Sequence, residues 1–290
     1  MNAMFCGKPI LPPPWIRYPQ IDRGSMEWRM GIGEAYVNRW NAFRRSLSPQ
    51  ELSEYYRLFP EPAVWRGAMT GEKSLPRFYS GSLSIERWQK DDQPRYSRER
   101  LEEDGVMLCD ENVVFFWGHH PSEDGRIKAS CMSQWFMSSF YVYDTKCCCM
   151  EQFMMASKAC LFNDEETLDH ILKSSDPKEI KALGRQVKNF DKEAWDEAKY
   201  LIVLNGNYRK FTQNPALRDY LLSTGNRFLV EASPYDRIWG IGLAADDPRA
   251  MDSSQWQGEN LLGFALMEVR DDIRRAYQNL HLCSEQPELF

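Results

Sequence analysis

The sequence holds no C-x-x-C pair and no H-E-x-x-H. Its eight cysteines stand at positions 6, 109, 131, 147, 148, 149, 160 and 283, three of them adjacent, a spacing that indicates neither a disulfide framework nor a zinc site. The four histidines, at 119, 120, 170 and 281, add no metal-ligand pattern. Reduced thiols, several of them buried, and chemistry without metal or cofactor are the expectation. Long apolar runs are missing as well: Val113 to Trp117 and Leu201 to Leu204 fall well short of the roughly 20 residues of a membrane helix. The opening M-N-A-M-F-C-G-K-P-I-L-P-P-P-W has no apolar stretch of signal-peptide length, so a soluble intracellular protein, cytoplasmic or nuclear, is expected. Nor is there an excess of positive charge. The formal net charge is -6, and 27 of the 42 acidic residues follow residue 110 against 20 of the 36 basic ones. That balance argues against a broad, sequence-independent grip on nucleic acid and leaves room for a local anion pocket.

What is there in quantity is aromatic: 13% of the chain, including ten tryptophans. Such rings mostly pack cores, but a surplus also builds pockets that stack on bases. The first ~20 residues are proline-rich and read as extended or disordered. A helical stretch from Met26 to Ser46 is interrupted around Gly31 and Gly33, and Ser48-Pro49-Gln50-Glu51 opens a second helix with a capping box that runs to Pro60. Residues 61 to 100 alternate turn signals with aromatics and give no assignment. No chemical motif stands out before residue 110, so residues 1–109 read as a partly helical accessory region packed on a second domain.

Glu111 to Gly118 reads as a strand, and Phe140 to Asp144 with Thr145 to Cys149 as two more around a turn. Beyond lie mostly helices. Asn163-Asp164-Glu165-Glu166 and Asp176-Pro177-Lys178-Glu179 are N-terminal signatures, Gly184 ends the second helix, and Asp191 begins a long one to about Phe211. Asn214-Pro215 starts another that Gly225 ends, Arg227 to Glu231 is a strand, and Leu261 to Tyr277 a terminal helix. The fold class is α+β, helix-dominated with a small sheet, over residues 110–280, with a tail at 281–290.

The stretch that organises this region is Cys147 to Cys160, C-C-C-M-E-Q-F-M-M-A-S-K-A-C, helical from about Met150 onward. At roughly 100° per residue, a spacing of seven returns Glu151 and Lys158 to one face, about 10 Å apart along the axis, with Met154 and Met155 between them. Phe153, Ala156 and Cys160 form an apolar stripe toward the core. An acid and an amine would thus face one cavity. Three other segments add candidates. Tyr235-Asp236-Arg237-Ile238-Trp239-Gly240-Ile241-Gly242 sets an acid and a ring in a glycine-rich loop after a strand. Trp256-Gln257-Gly258-Glu259-Asn260-Leu261-Leu262-Gly263 leads into the last helix, where backbone amides suit a phosphate. Leu183-Gly184-Arg185 offers a bidentate phosphate clamp.

Together these segments resemble the NADAR, or YbiA-like, family. The residues that carry the resemblance are F-F-W-G-H at Phe115 to His119, S-Q-W at Ser133 to Trp135, E-Q-F-M-M-A-S-K-A at Glu151 to Ala159, L-G-R at 183 to 185, Y-D-R-I-W-G-I-G at 235 to 242 and G-E-N-L-L-G at 258 to 263. The first two forms look like the eukaryotic branch. The resemblance covers roughly residues 110 to 280 and implies an enzyme that breaks the N-glycosidic bond between ribose C1 and a nitrogen. Two substrate types go with the family: ADP-ribose attached to guanine in nucleic acid or nucleotide, and phosphoribosylated pyrimidine intermediates of riboflavin synthesis. The surplus of aromatics favours the first. The family is also associated with a lysine that forms a Schiff base with the sugar, which here matches Lys158, and with an acid, which matches Glu151. Asp236 would steady the cationic sugar; Trp239 would stack on a ring. Arg185, Gly258 and Asn260 would hold phosphate or ribose, and Trp117, Gly118, His119, Trp135 and Met154 would complete the substrate pocket. A non-catalytic ADP-ribose-binding module is the alternative from a different class.

Overall fold

The capping signals in the sequence become the helix starts of the fold. A computed structural model describes residue 5 and residues 8–62, 65, 94–142 and 145–285. Ser48 accepts from the backbone of Glu51 while the Glu51 carboxylate accepts from the Ser48 backbone, and α4 runs from there over Pro49–Leu58. The break expected near Gly31 separates α2 (Glu27–Met30) from α3 (Ile32–Arg45). The leader, expected to be extended or disordered, is extended at Pro13 but departs from that reading at residues 14–17 and is packed into the interior. Pro14 opens the short helix α1 (Pro14–Arg17), and Ile10, Leu11, Trp15, Ile16 and Tyr18 are buried. The reason is aromatic packing: the Trp15 ring lies 6.0 Å from that of Trp40 and 5.6 Å from that of Trp65. Most of the turn-and-aromatic stretch at 61–100 lies outside the described residues, which resume before α5 (Arg98–Glu103).

Two small sheets occur among the described residues. The strands β1 (Val113–Phe116) and β4 (Phe228–Glu231) pair in parallel, with Phe116 opposite Glu231 at their C-terminal ends. The strands β2 (Phe140–Val142) and β3 (Thr145–Cys147) form an antiparallel pair leading into α6 (Met150–Leu161). Then come α7 (Glu165–Lys173), α8 (Pro177–Gly184), α9 (Lys192–Gln213), α10 (Pro215–Ser223) and, after β4, α11 (Leu261–Tyr277). Asp164, Asp176 and Asp191 each cap the next helix through a side-chain oxygen.

Helix α6 is the centre of the layer. It packs on α7, α8 and α9; α9 packs on α11, and α11 on β4. Its apolar surface is wider than one stripe: Met150, Phe153, Met154, Met155, Ala156 and Ala159 are all buried, whereas Cys160 is only half-buried. A helix covered on nearly every side can keep an ionisable group only where the fold leaves a dedicated slot for it. Gly206 lets α9 approach closely, since a Cβ there would stand 2.4 Å from the Phe153 ring.

The N-terminal residues are tied to this assembly by charge as well as by packing. Arg209 on α9 and Asp22 form a buried ion pair at 2.9 Å. Arg95 reaches Glu268 at 3.3 Å and Asp272 at 2.7 Å on α11. At the other end, the backbone of Ser284 donates to the carbonyl of Ile10. Among the described residues no helix is long and apolar enough to cross a membrane, and no cluster of His, Cys, Asp or Glu could hold a metal ion.

Candidate active site

Glu151 is the second residue of α6, where the helix dipole favours a negative charge. Burial opposes that preference and wins. The residue is 2% exposed, and desolvation raises its carboxyl to about pKa 7 against the pull of Lys181, the Trp135 hydrogen bond and Arg185. Asp236 pushes the same way as burial. One carboxylate oxygen, Oε2, accepts from the Trp135 indole at 3.1 Å; the other, Oε1, is sealed from solvent and has no partner. Leaving such an oxygen bare costs about 1–3 kcal/mol, a cost that stability alone does not explain.

The scaffold fixes this acid from two sides. The α6 start has no side-chain cap from Cys149; instead the Glu151 amide donates to the carbonyl of Gln134 at 2.9 Å. Gln152 takes the Cys148 amide and gives its own side-chain protons to the carbonyls of Ile171, Leu172 and Ser174 at the end of α7. The segment carrying Gln134 and Trp135 is itself pinned by Lys210 of α9. That fully buried ammonium donates to the carbonyls of Cys131 at 2.6 Å and Ser133 at 3.0 Å, and burial lowers its pKa to about 8.

Around the acid stands a wall of rings. The His119 ring is 5.3 Å from Trp135, and the Lys181 ammonium lies 5.6 Å from the Trp135 centroid. Burial and the neighbouring His120 lower the His119 pKa. Gly118 turns the chain out of β1 with φ of 78°, a backbone open to glycine without strain. On the rim, Trp117 is 56% and Tyr235 86% exposed, their rings 6.2 Å apart. The two rings are tilted by 51° to one another and offer exposed aromatic faces of the kind that can stack on a base.

The sequence-derived residues separate into two groups. Glu151, Trp135, His119, Asp236 and Arg185 come together, with Trp117 on the rim through its contact with Tyr235. Lys158 sits farther along α6. Its ammonium donates to the carbonyl of Gly184 at 2.8 Å and lies over the rings of Phe190 and Trp195, at 4.3 and 5.6 Å. Burial lowers its pKa. The expected meeting of acid and amine is thus not a direct contact: the partners of Lys158 among the described residues are Gly184, Phe190 and Trp195, and Gly184 packs on Met155, one turn from the acid. Met154 is buried in the core.

Gly258 and Asn260 serve the scaffold. A Cβ at Gly258 would stand 2.3 Å from the Gly240 carbonyl. The Asn260 side chain accepts from the Glu231 amide at 2.9 Å and donates to the Leu229 carbonyl at 3.0 Å. The phosphate cradle expected at the start of α11 is not free, because the amides of Glu259, Asn260, Leu261 and Leu262 donate to the carbonyls of Arg237, Gly240, Ile238 and Trp239. Asp236 Oδ1 likewise accepts from the amides of Ile238 and Trp239, and Trp239 is 8% exposed, so the Trp239 ring is packed in the wall and offers little face for stacking.

Sequence reasoning missed Lys181, Lys210, Tyr235 and, above all, Glu231. At the end of β4, Glu231 is raised to about pKa 8 by desolvation, then by Asp236 and Glu151, while Lys181 lowers it. A strand of four residues ending in an acid was the only signal available.

The sequence that builds this site matches a known family. The NADAR domain model covers residues 115–274, and the chain belongs to the NADAR domain family. N-glycosidase R617 of Acanthamoeba polyphaga mimivirus is 42% identical over 167 residues, 56% of this chain and 96% of that protein. An N-glycosidase of Nostoc punctiforme is 31% identical over 144 residues, 50% of this chain and 85% of that one. N-glycosidase YbiA of Escherichia coli is 29% identical over 123 residues, 42% of this chain and 68% of that one. The NMR structure of the E. coli protein YbiA aligns with a TM-score of 0.46 at 24% identity, over 58% of this chain and 88% of that one. Relatives named N-glycosidase support hydrolysis of N-glycosyl compounds as the activity of the family.

Proposed function

We propose that this protein is an N-glycosidase that hydrolyses the ribose C1–N bond of ADP-ribosylated guanine, in nucleotide or short single-stranded nucleic acid, and releases ADP-ribose. The observation that carries the reading is the Glu151 carboxyl, buried, raised to about pKa 7 and bare at one oxygen. Such a group holds a proton near neutrality and has somewhere to deliver it. Glu151 protonates the leaving nitrogen and returns as base. The Lys158 amine, depressed by burial, attacks C1 and forms an imine as the ribose opens; water then releases the sugar. The exposed Trp117–Tyr235 pair supports a substrate with a base to stack. The acidic surplus after residue 110 disfavours long duplexes.

The test is product release measured by mass spectrometry. One tube holds an oligonucleotide carrying ADP-ribosyl-guanine and the other phosphoribosylaminopyrimidines. Guanine-containing product and free ADP-ribose in the first tube alone are expected, with a borohydride-reduced adduct on Lys158 during turnover. Turnover in the second tube alone replaces the substrate, and an adduct on another residue, or none with active enzyme, removes the covalent step. Silence in both, with Glu151→Gln binding ADP-ribose as tightly as the parent, makes the protein a binding module.

A further inference from the structure

Glu231 has a pinned backbone and an unoccupied carboxyl. Its amide donates to Asn260 Oδ1 at 2.9 Å, its carbonyl accepts from Ile241 at 2.9 Å, and it faces Phe116 across the β1–β4 pair. Its side chain has no such engagement: Oε2 is sealed from solvent without a hydrogen-bond partner, although the residue as a whole keeps some surface open. Glu151 shows the same pattern at Oε1. Two acids from different elements, each fixed at the backbone and each with a bare, dry oxygen, lie in the reach of the same two charges, Lys181 of α8 and Asp236 of the loop after β4. A buried carboxyl kept only for stability would be paired.

Resting on the N-glycosidase reading above, we propose that Glu231 is a second catalytic carboxyl of this site, which gives its proton to the ribose ring oxygen as the sugar opens into the Lys158 imine while Glu151 serves the leaving nitrogen. The two protons have separate destinations. In the first step the C1–N bond breaks, its electron pair stays with the base, Glu151 protonates that nitrogen, and the Lys158 nitrogen bonds to C1. The new ammonium returns a proton to Glu151. The lysine nitrogen then forms the double bond to C1, the bond from C1 to the ring oxygen breaks, and Glu231 protonates that oxygen. Water adds to C1 and gives a proton back to Glu231; Glu151 protonates the departing amine and takes the proton left on the C1 hydroxyl, so the open-chain sugar leaves and both acids are restored. Burial keeps Glu231 protonated at neutral pH with Asp236 and Glu151 adding to the effect and Lys181 opposing it, as the donor role requires.

The deciding experiment is a single-turnover assay of the full chain with Glu231→Gln, measuring both products. Release of the guanine moiety is expected to stay within about threefold of the parent while ADP-ribose release and borohydride trapping fall by about 100-fold or more, in the range ascribed to one proton-transfer group. Glu231→Asp, which keeps a proton at a shorter reach, should recover part of the second product. Glu151→Gln should lose the first product itself. Parent-like release of both products by Glu231→Gln overturns the proposal and leaves the N-glycosidase reading intact. Should the parent itself leave the substrate untouched, the N-glycosidase reading falls and the catalytic role of Glu231 falls with it.

Discussion

Replacing Glu151 by glutamine should destroy activity and stabilise the fold, in a way that depends on pH. The native carboxyl titrates near 7 against an ordinary value of 4.5, so the folded state binds more protons than the unfolded one between those values. Stability therefore falls as pH rises from 4.5 to 7, and the full penalty is present above 7. That separation corresponds to about 3 kcal/mol, undiminished by solvent because the group is buried. Glutamine keeps an acceptor for the Trp135 indole but sets an amide where Oε1 has no partner, which returns about 1 kcal/mol. The net gain is about 2 kcal/mol at pH 8, or roughly 3 °C in melting temperature for a chain of this length, and near zero or slightly negative at pH 4.5. Urea denaturation of parent and variant at the two pH values is the assay. A variant less stable than the parent at pH 8, or a difference that does not change with pH, would refute the argument that this acid is kept at the expense of the fold.

The other predictions concern its supports. Trp135→Phe removes the hydrogen bond that favours the charged form, so the pH-rate limb governed by Glu151 should move to higher pH; an unmoved limb would show that the indole contributes nothing to the acid. Asn260→Ala leaves the Glu231 amide and the Leu229 carbonyl without partners and puts a non-glycine, non-asparagine residue at φ of 55°, so a loss of about 4 kcal/mol is expected. Asn260→Gly should be about 1 kcal/mol milder in urea melts, and equal losses would remove the backbone part of the argument. Asp22→Ala removes a carboxylate partner from the buried Arg209 guanidinium and should cost about 3 kcal/mol, reduced when Arg209→Met is added; an unchanged melt would mean that this ion pair does not hold the N-terminal residues to α9.

Helix caps were legible because they are local: Ser48, Asp164, Asp176 and Asp191 each satisfy amides within three residues. Glu151 was legible for a related reason, since a helix returns it to a predictable face. Three features were not. Proline-rich residues 10–21 read as loose chain, because the rings that bury Trp15 come from Trp40 and Trp65, out of reach of any local pattern. The amides before α11 looked free for a phosphate, and only tertiary folding brings the carbonyls of 237–240 to them. Glu231 stood in the sequence only as the last residue of a strand; the burial that raises its pKa, with Asp236 and Glu151 adding to it, is a product of tertiary folding.

The pair of Asp22 and Arg209 also sets a clock. The two residues are 187 positions apart, and a ribosome working at about 5–20 residues per second needs roughly 10–40 s to bridge that distance. Throughout that interval the emerged N-terminal segment, with Trp15, Ile16 and Tyr18 destined for the interior, has its early ring partners such as Trp40 but not the α9 surface that carries Arg209. Nascent chains of this protein should therefore bind general chaperones through their first residues until α9 has left the exit tunnel.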